Sequence, residues 1–359
     1  MGIPFRIIDT GVRDGRHQIA FDEALIECHR TGRSPDTVRF LRFPPTVLIG
    51  RHQAMRHEVK VEHCQATGIG LVRRITGGGA IYLDEGQAGW EIVLSRRRLP
   101  LPTLGDYTRA ICEAVAHGLS KAFGIEARFR PRNDIEVGGR KLCGTGGFFD
   151  GDTLIYQGTV LIDADPARML GFLNVPAAES AMRDLDRAET RLTTLKELLG
   201  GEVPDVFAVH QAVLLGLSAK LGIEPRQGMP TDAEEALAKG LHADPIGTDA
   251  FTFLIDDPGG AGILAARRPS PGGTLAAYVR LEGAGGARRI REVLLTGDFF
   301  VTPPRVVFDL EAALRGVLIA DVGATVDRFF EAARADVMTI SPALVRDTIA
   351  AALASDAKA

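Results

Sequence analysis

The sequence predicts a mixed α/β fold for a larger N-terminal domain, residues 1–248, followed by a smaller α+β domain, residues 249–359. Three observations lead there. Short apolar runs of strand length alternate with glycine-rich or polar breaks through roughly the first 165 residues, the stretch at 106–125 keeps a helical period, and strand-like runs return after a helical stretch at 164–245. A chain of 359 residues with 45% hydrophobic residues can bury the cores of two such domains.

FRIIDTG reads as a strand and turn, and QIAFDEALIECHR (18–30) places Ala20, Ala24, Leu25 and Cys28 at helical spacing. TVRFLRF and PTVLIGRHQ read as strands about a proline-marked turn. GIGLVRRITGGGAIYL reads as a strand pair bent around glycines, and WEIVLSR as a return strand. DYTRAICEAVAHGLSKAFGI (106–125) carries a long apolar stripe with Gly124 as its stop. DIEVGGRKLCGTGGFFDGDTLIYQGTVLID divides into strands at Gly-Gly and Asp-Gly turns. VFAVHQAVLLGLSAKLGI (206–223) is helical. FTFLID, GTLAAYVRLEG and REVLLTGDFF read as strands, EGAGGARR as a hairpin, and DLEAALRGV and SPALVRDTIAAAL as helices. The domain boundary falls in DPIGTD.

With 42 Lys+Arg against 46 Asp+Glu, the formal charge of −4 supplies no global attraction to nucleic acid or anionic lipid. Cys28, Cys64, Cys112 and Cys143 form no CxxC pair, which argues against a zinc knuckle and a secreted disulfide scaffold and fits a reducing cytoplasm. No signal-peptide region or run of about 20 apolar residues is present. Arg6 stands where a myristoylation motif needs Ser or Thr. A cytoplasmic monomer is expected.

Chemistry concentrates in two stretches. RRITGGGAIYLDEGQ (73–87) offers backbone amides that can hold an anionic oxygen, beside two arginines that an extended chain points to opposite faces. It matches neither GxGxxG nor GxxxxGK[ST], which disfavours ordinary Rossmann and Walker sites; a plain turn is the competing reading. NDIEVGGRKLCGTGG (133–147) sets Lys141 between glycine turns, either as a cation for a phosphate or carboxylate or as a solvent-facing lysine. At about 4 Å and an effective dielectric near 20, such a charge pair gains about 4 kcal/mol before desolvation.

Taken in order, PTVLIGRHQ, RRITGGGAIYLDEGQ, NDIEVGGRKLCGTG, QGTVLID (157–163) and RLTTLKEL (191–198) resemble the lipoate-protein ligase family. LLTGDFFVTP and the helix after it resemble that family's C-terminal accessory domain. The resemblance implies a catalytic domain of the biotin/lipoate ligase type and ATP-dependent formation of lipoyl-AMP. Transfer to a specific lysine of a lipoyl-carrier protein would follow. It implies that Arg74 and Gly77, Gly78 and Gly79 surround the acyl-adenylate, that Ala80, Ile81 and Tyr82 continue the nucleotide-facing segment, and that Lys141 contacts acyl carboxyl and phosphate. Asn133 and Asp134 would organise nucleotide or magnesium, with magnesium arriving on ATP and no permanently bound cofactor. Leu48, Val72, Ile75 and Ile81 are candidate walls for the acyl tail, worth about 0.8 kcal/mol per buried methylene, though ordinary sheet packing explains each at least as well.

Leu83 and Gln157 stand where the family commonly has histidine, and Gln87 where it has asparagine. These departures indicate a divergent branch, compatible with ligases that serve dedicated lipoate-binding proteins of sulfur oxidation. Octanoyl or lipoyl transfer through Cys143, biotin-protein ligation and a noncatalytic lipoyl-protein binding module are the alternatives. The segment ARFRPRNDI, which holds the nucleophile in related cysteine-dependent acyltransferases, contains no cysteine. Trp90 reads as core.

Overall fold

In a computed structural model, residues 2–174, 191–270, 273–333 and 339–355 are described. Part of the helical stretch expected at 164–245 lies outside them. The strands are β1 (Ile3–Val12), β2 (Thr37–Arg42), β3 (Thr46–Ile49), β4 (Gly70–Arg73), β5 (Ile81–Leu83), β6 (Gln87–Ser95) and β7 (Ala127–Arg130). They continue with β8 (Asp134–Val137), β9 (Arg140–Asp150), β10 (Thr153–Leu161), β11 (Ile223–Gln227), β12 (Leu264–Ser270), β13 (Gly273–Glu282) and β14 (Arg289–Gly297).

Eight strands form a mixed sheet in the order β11-β1-β2-β6-β10-β9-β8-β7. β6 and β10 lie at its centre, and every β6 residue from Gln87 to Leu94 is buried. That follows from cover on both faces. Trp90, Ile92 and Leu94 pack with the helices Leu104–Phe123 and Val206–Leu221, while the intervening Val93 joins Phe21 and Leu25 of the helix Gly15–Arg30 on the opposite side. This is the period-two burial of a strand sandwiched between helices.

Helix 104–123 begins in a Thr103/Asp106 capping box and stops at Gly124, whose φ of 67° is left-handed. The mixed α/β fold class thus stands, with the expected stop in place. Three local expectations need correction. β4 and β5 do not pair with each other: both flank β3, parallel and antiparallel respectively, in a small separate sheet. FTFLID is no strand, because Thr248 accepts from Phe251 N and starts the short helix Asp249–Thr252. Ile223–Gln227, inside the stretch read as helical, is a strand parallel to β1.

β12, β13 and β14 form an antiparallel sheet covered by the helices Val306–Leu314, Val322–Ala332 and Pro342–Ser355, with its own core around Leu275, Val279, Phe299, Leu310 and Ile349. Residues 251–255 bond instead to the first unit, since Arg73 donates to the carbonyls of Phe251 and Ile255. Among the described residues, no helix is long and apolar enough to cross a membrane.

Candidate active site

A cavity of about 430 Å³ opens between the main sheet and the small β3–β5 sheet. Its wall combines apolar side chains, Leu41, Phe43, Leu48, Ile81, Leu83 and Leu161, with the polar Asn133, Asp134 and Lys141 and the 77–79 loop. A site for an amphiphilic acid needs both kinds of lining.

Lys141 reaches the cavity because the β8–β9 ladder slips. Ile135 pairs with Cys143 but Glu136 pairs with Lys141, so one extra residue, Leu142, is accommodated. Leu142 and Cys143 consequently both enter the core under the sheet, which strict alternation forbids, and Lys141 is left facing the cavity. Its Nζ lies 2.8 Å from Asp134 Oδ1. Asp134 also receives Arg130 at 2.6 Å. Burial pushes the Asp134 carboxyl up, but Lys141 and Arg130 outweigh it and hold the group below its ordinary value. Thr145 N and Oγ1 donate to Asn133 O at 3.0 and 2.7 Å, and Asn133 Nδ2 donates to Thr145 O. Asn133 is thereby tied to β9.

The triple glycine meets another part of the chain. Gly78 N donates to Phe299 O at 3.2 Å. A Cβ on Gly77 would sit 2.3 Å from Phe299 O, and one on Gly78, where φ is 93°, would sit 2.7 Å from Phe300 Cζ. Gly146 faces the same ring, with a Cβ 2.4 Å from Phe300 Cε1. Only glycine fits where the turn after β14 presses on both loops. Gly79 is different: nothing lies closer than 3.7 Å.

Arg74 Nη2 donates to the carbonyls of Gly77 and Gly79 at 2.7 and 2.8 Å, and Nη1 to Leu48 O at 3.3 Å. Burial pulls its pKa down to about 10. Arg73, on the other face as expected, donates to carbonyls of Gly50, Arg51, Gln53, Phe251 and Ile255, which fixes it as structural.

Residues 14–218 match the family described as Lipoyl protein ligase A/B catalytic domain. The chain belongs to that family. An octanoyltransferase LipM from Symbiobacterium thermophilum is 30% identical over 272 residues, covering 69% of this chain and 98% of the relative. A crystal structure of lipoate-protein ligase A bound with ATP superposes at a TM-score of 0.62 with 25% identity, over 70% of this chain and all of that one. P. falciparum LipL1, solved in complex with lipoate, shares the fold over 97% of this chain and 99% of its own at a TM-score of 0.75 and 15% identity. Membership makes this chain one of a family of acyl-handling ligases and transferases.

Within that family framework, Arg74, Gly77, Gly78, Gly79, Ala80, Ile81, Tyr82, Asn133, Asp134 and Lys141 all line the cavity, as does Leu48. Val72 and Ile75 do not: both are buried in the core against Leu25 and its neighbours, so the expected acyl wall loses them to packing. Arg74 directs its guanidinium at loop carbonyls rather than into open space. Tyr82 is largely core, its ring 5.3 Å from that of Phe172. Gln87 is buried, its Oε1 accepting from Asp84 N at 2.5 Å. Trp90 is 1% exposed and packs in the core, and it also forms part of the cavity wall.

All four cysteines are buried and unpaired, and none lines the cavity. Burial pushes the Cys143 thiol far up, with Cys112 adding to it, and pushes the Cys112 thiol up to about 11. Burial thus favours the protonated thiol at both positions.

Sequence reasoning missed the cavity's buried ionic floor. Arg39, fully buried, donates to Asp22 at 2.6 Å and Glu91 at 3.0 Å, and Gln157 Nε2 bridges the same carboxylates at 2.7 and 2.8 Å. Burial and the neighbouring Glu91 push Asp22 up to about 7. The only sequence signal was Gln157 in place of a common histidine. It also missed Phe300, which the aromatic pair of GDFF could have marked.

Proposed function

We propose that the protein is an ATP-dependent lipoate-protein ligase, with residues 1–248 as catalytic domain and 249–359 as accessory domain except for the 251–255 segment, which bonds to the catalytic side. The observation that carries the reading is a single cavity whose wall joins apolar side chains, a lysine cation and a glycine loop, with no thiol along it. The curated relative acts as an octanoyltransferase by name, which keeps octanoyl transfer as the second reading. The burial of Cys143 counts against a thioester route.

In the first step a lipoate carboxylate oxygen attacks the α-phosphorus of magnesium-bound ATP. A carboxyl–phosphate bond forms, the bond to the β-phosphate oxygen breaks, and pyrophosphate leaves with that electron pair. Lys141 Nζ balances charge on the carboxylate and the α-phosphate, held by Asp134 where both meet. Arg74 fixes the shape of the 77–79 loop, whose Gly79 edge is open to ligand. In the second step a neutral lysine amine of a lipoyl-carrier protein attacks the acyl carbon, and AMP departs with the electrons of the broken C–O bond while the amine loses a proton. Leu41, Leu48, Ile81 and Leu83 would bury the acyl tail. A dedicated lipoate-binding protein fits as acceptor through the family resemblance.

Mass spectrometry of the enzyme after incubation with lipoate and ATP tests the reading. Noncovalent lipoyl-AMP supports it; a covalent acyl adduct on a cysteine refutes it. Parallel incubations with octanoate and biotin define the acid preferred.

A further inference from the structure

Building on the ligase reading, we infer that Arg132 is a phosphate-binding residue: its guanidinium takes the polyphosphate that leaves as pyrophosphate, beyond the reach of Lys141. Three independent features meet at this residue.

Arg132 is the sole non-glycine residue with positive φ among the described residues, at 89°. That conformation costs a side-chain-bearing residue of order 1 kcal/mol and suits glycine. The turn that imposes it is clamped on both sides. Before it, Arg130 is bonded to Asp134; after it, Asn133 is bonded three ways to Thr145. A glycine would fit this turn better than an arginine, so local folding gives no reason for a long cation here.

The chain nevertheless places Arg132 on the cavity wall beside Asn133, Asp134 and Lys141, exposed to solvent. Along β7–β9 the cations outnumber the carboxylates, while the rest of the cavity wall carries Asp22 and Asp298. Four cations, Arg128, Arg130, Arg132 and Lys141, meet two carboxylates, Asp134 and Glu136. Asp134 is shared by Lys141 and Arg130, and Glu136 by Arg128 and Arg130. Arg132 has no carboxylate within ion-pair distance among the described residues. An exposed guanidinium on the cavity wall with no carboxylate partner among the described residues, near a lysine already paired with Asp134, has the chemistry of a site for a multiply charged phosphate.

The test is direct titration of the full chain with inorganic pyrophosphate and, separately, with magnesium-ATP, together with thermal unfolding. Arg132→Gly should unfold at the same or a higher temperature, because it relieves the strained turn, yet bind both ligands at least about tenfold more weakly, a loss set by one charge-assisted contact. Arg128→Ala, at an exposed and already paired cation, controls for general charge and should leave binding unchanged. Equal affinity of wild type and Arg132→Gly for both ligands, or no binding by the wild type, overturns the proposal. So does an equal loss with Arg128→Ala. If binding weakens as expected but lipoate never drives pyrophosphate release, the phosphate site stands and the ligase reading falls. Should Arg132→Gly bind normally and slow only transfer from supplied lipoyl-AMP, the residue serves the acceptor protein and the phosphate assignment is wrong.

Discussion

Lys141 Nζ stands 2.8 Å from Asp134 Oδ1, and Asp134 is itself gripped by Arg130. The carboxylate thereby fixes where the lysine points without fully neutralising it. Asp134→Asn should leave the fold intact but slow adenylate formation about tenfold, the loss of one charge-assisted hydrogen bond. Lys141→Ala should remove most of the activity. Pyrophosphate release and transfer from synthetic lipoyl-AMP, measured side by side, check both; near-wild-type rates for Lys141→Ala in both assays would exclude it as a catalytic residue.

The three loop glycines should respond unequally. Gly77→Ala meets a carbonyl oxygen of Phe299 at 2.3 Å and Gly78→Ala combines a positive φ with the Phe300 ring, so each should cost about 1–3 kcal/mol of stability. Gly79→Ala has room and should unfold like the wild type. If it still weakens ATP binding, the ligand approaches there. Urea titrations of the three variants decide the order, and equal losses would contradict this account of the loop.

Asp22 gives a pH signature. Its folded pKa is raised from 3.8 to about 7, first by burial and then by Glu91. The native state therefore holds a proton that the unfolded chain releases earlier, so this group's stabilisation is present below about pH 4 and is lost as pH rises toward 7. His52 works in the opposite sense: burial lowers it to about 3, and its contribution is lost as pH falls below 6.5. Asp22→Asn should flatten the decline between about pH 4 and 7 in unfolding free energy while leaving the acid limb. An unchanged slope would show that Asp22 is ionised throughout.

Cys143→Ala should keep near-wild-type turnover and lose only about 1 kcal/mol of stability, the cost of a small core truncation. Turnover that disappears together with a trapped acyl-enzyme would favour the transferase reading.

Much of this was legible in the residues. The period of 106–125 and its Gly124 stop gave a real helix, and Lys141 between glycine turns gave a cavity lysine. What escaped depends on distant pairing. The slip that sends both Leu142 and Cys143 into the core is a property of two strands together. Val72 and Ile75 look like any apolar wall until the helix Gly15–Arg30 covers them. The glycines announced a close approach, but only the fold shows that Phe299 and Phe300, more than 200 positions away, make it.

The acyl donor separates a ligase from a transferase in a single comparison. The full chain and a lipoyl-carrier protein are given either lipoate with magnesium-ATP or an octanoyl thioester of a carrier protein without ATP, and the acceptor is followed by mass. Acyl-lysine formation with lipoate and ATP, with stoichiometric AMP and pyrophosphate and little product from the thioester, is the predicted result. ATP-independent transfer from the thioester, with no AMP formed from lipoate, would contradict it.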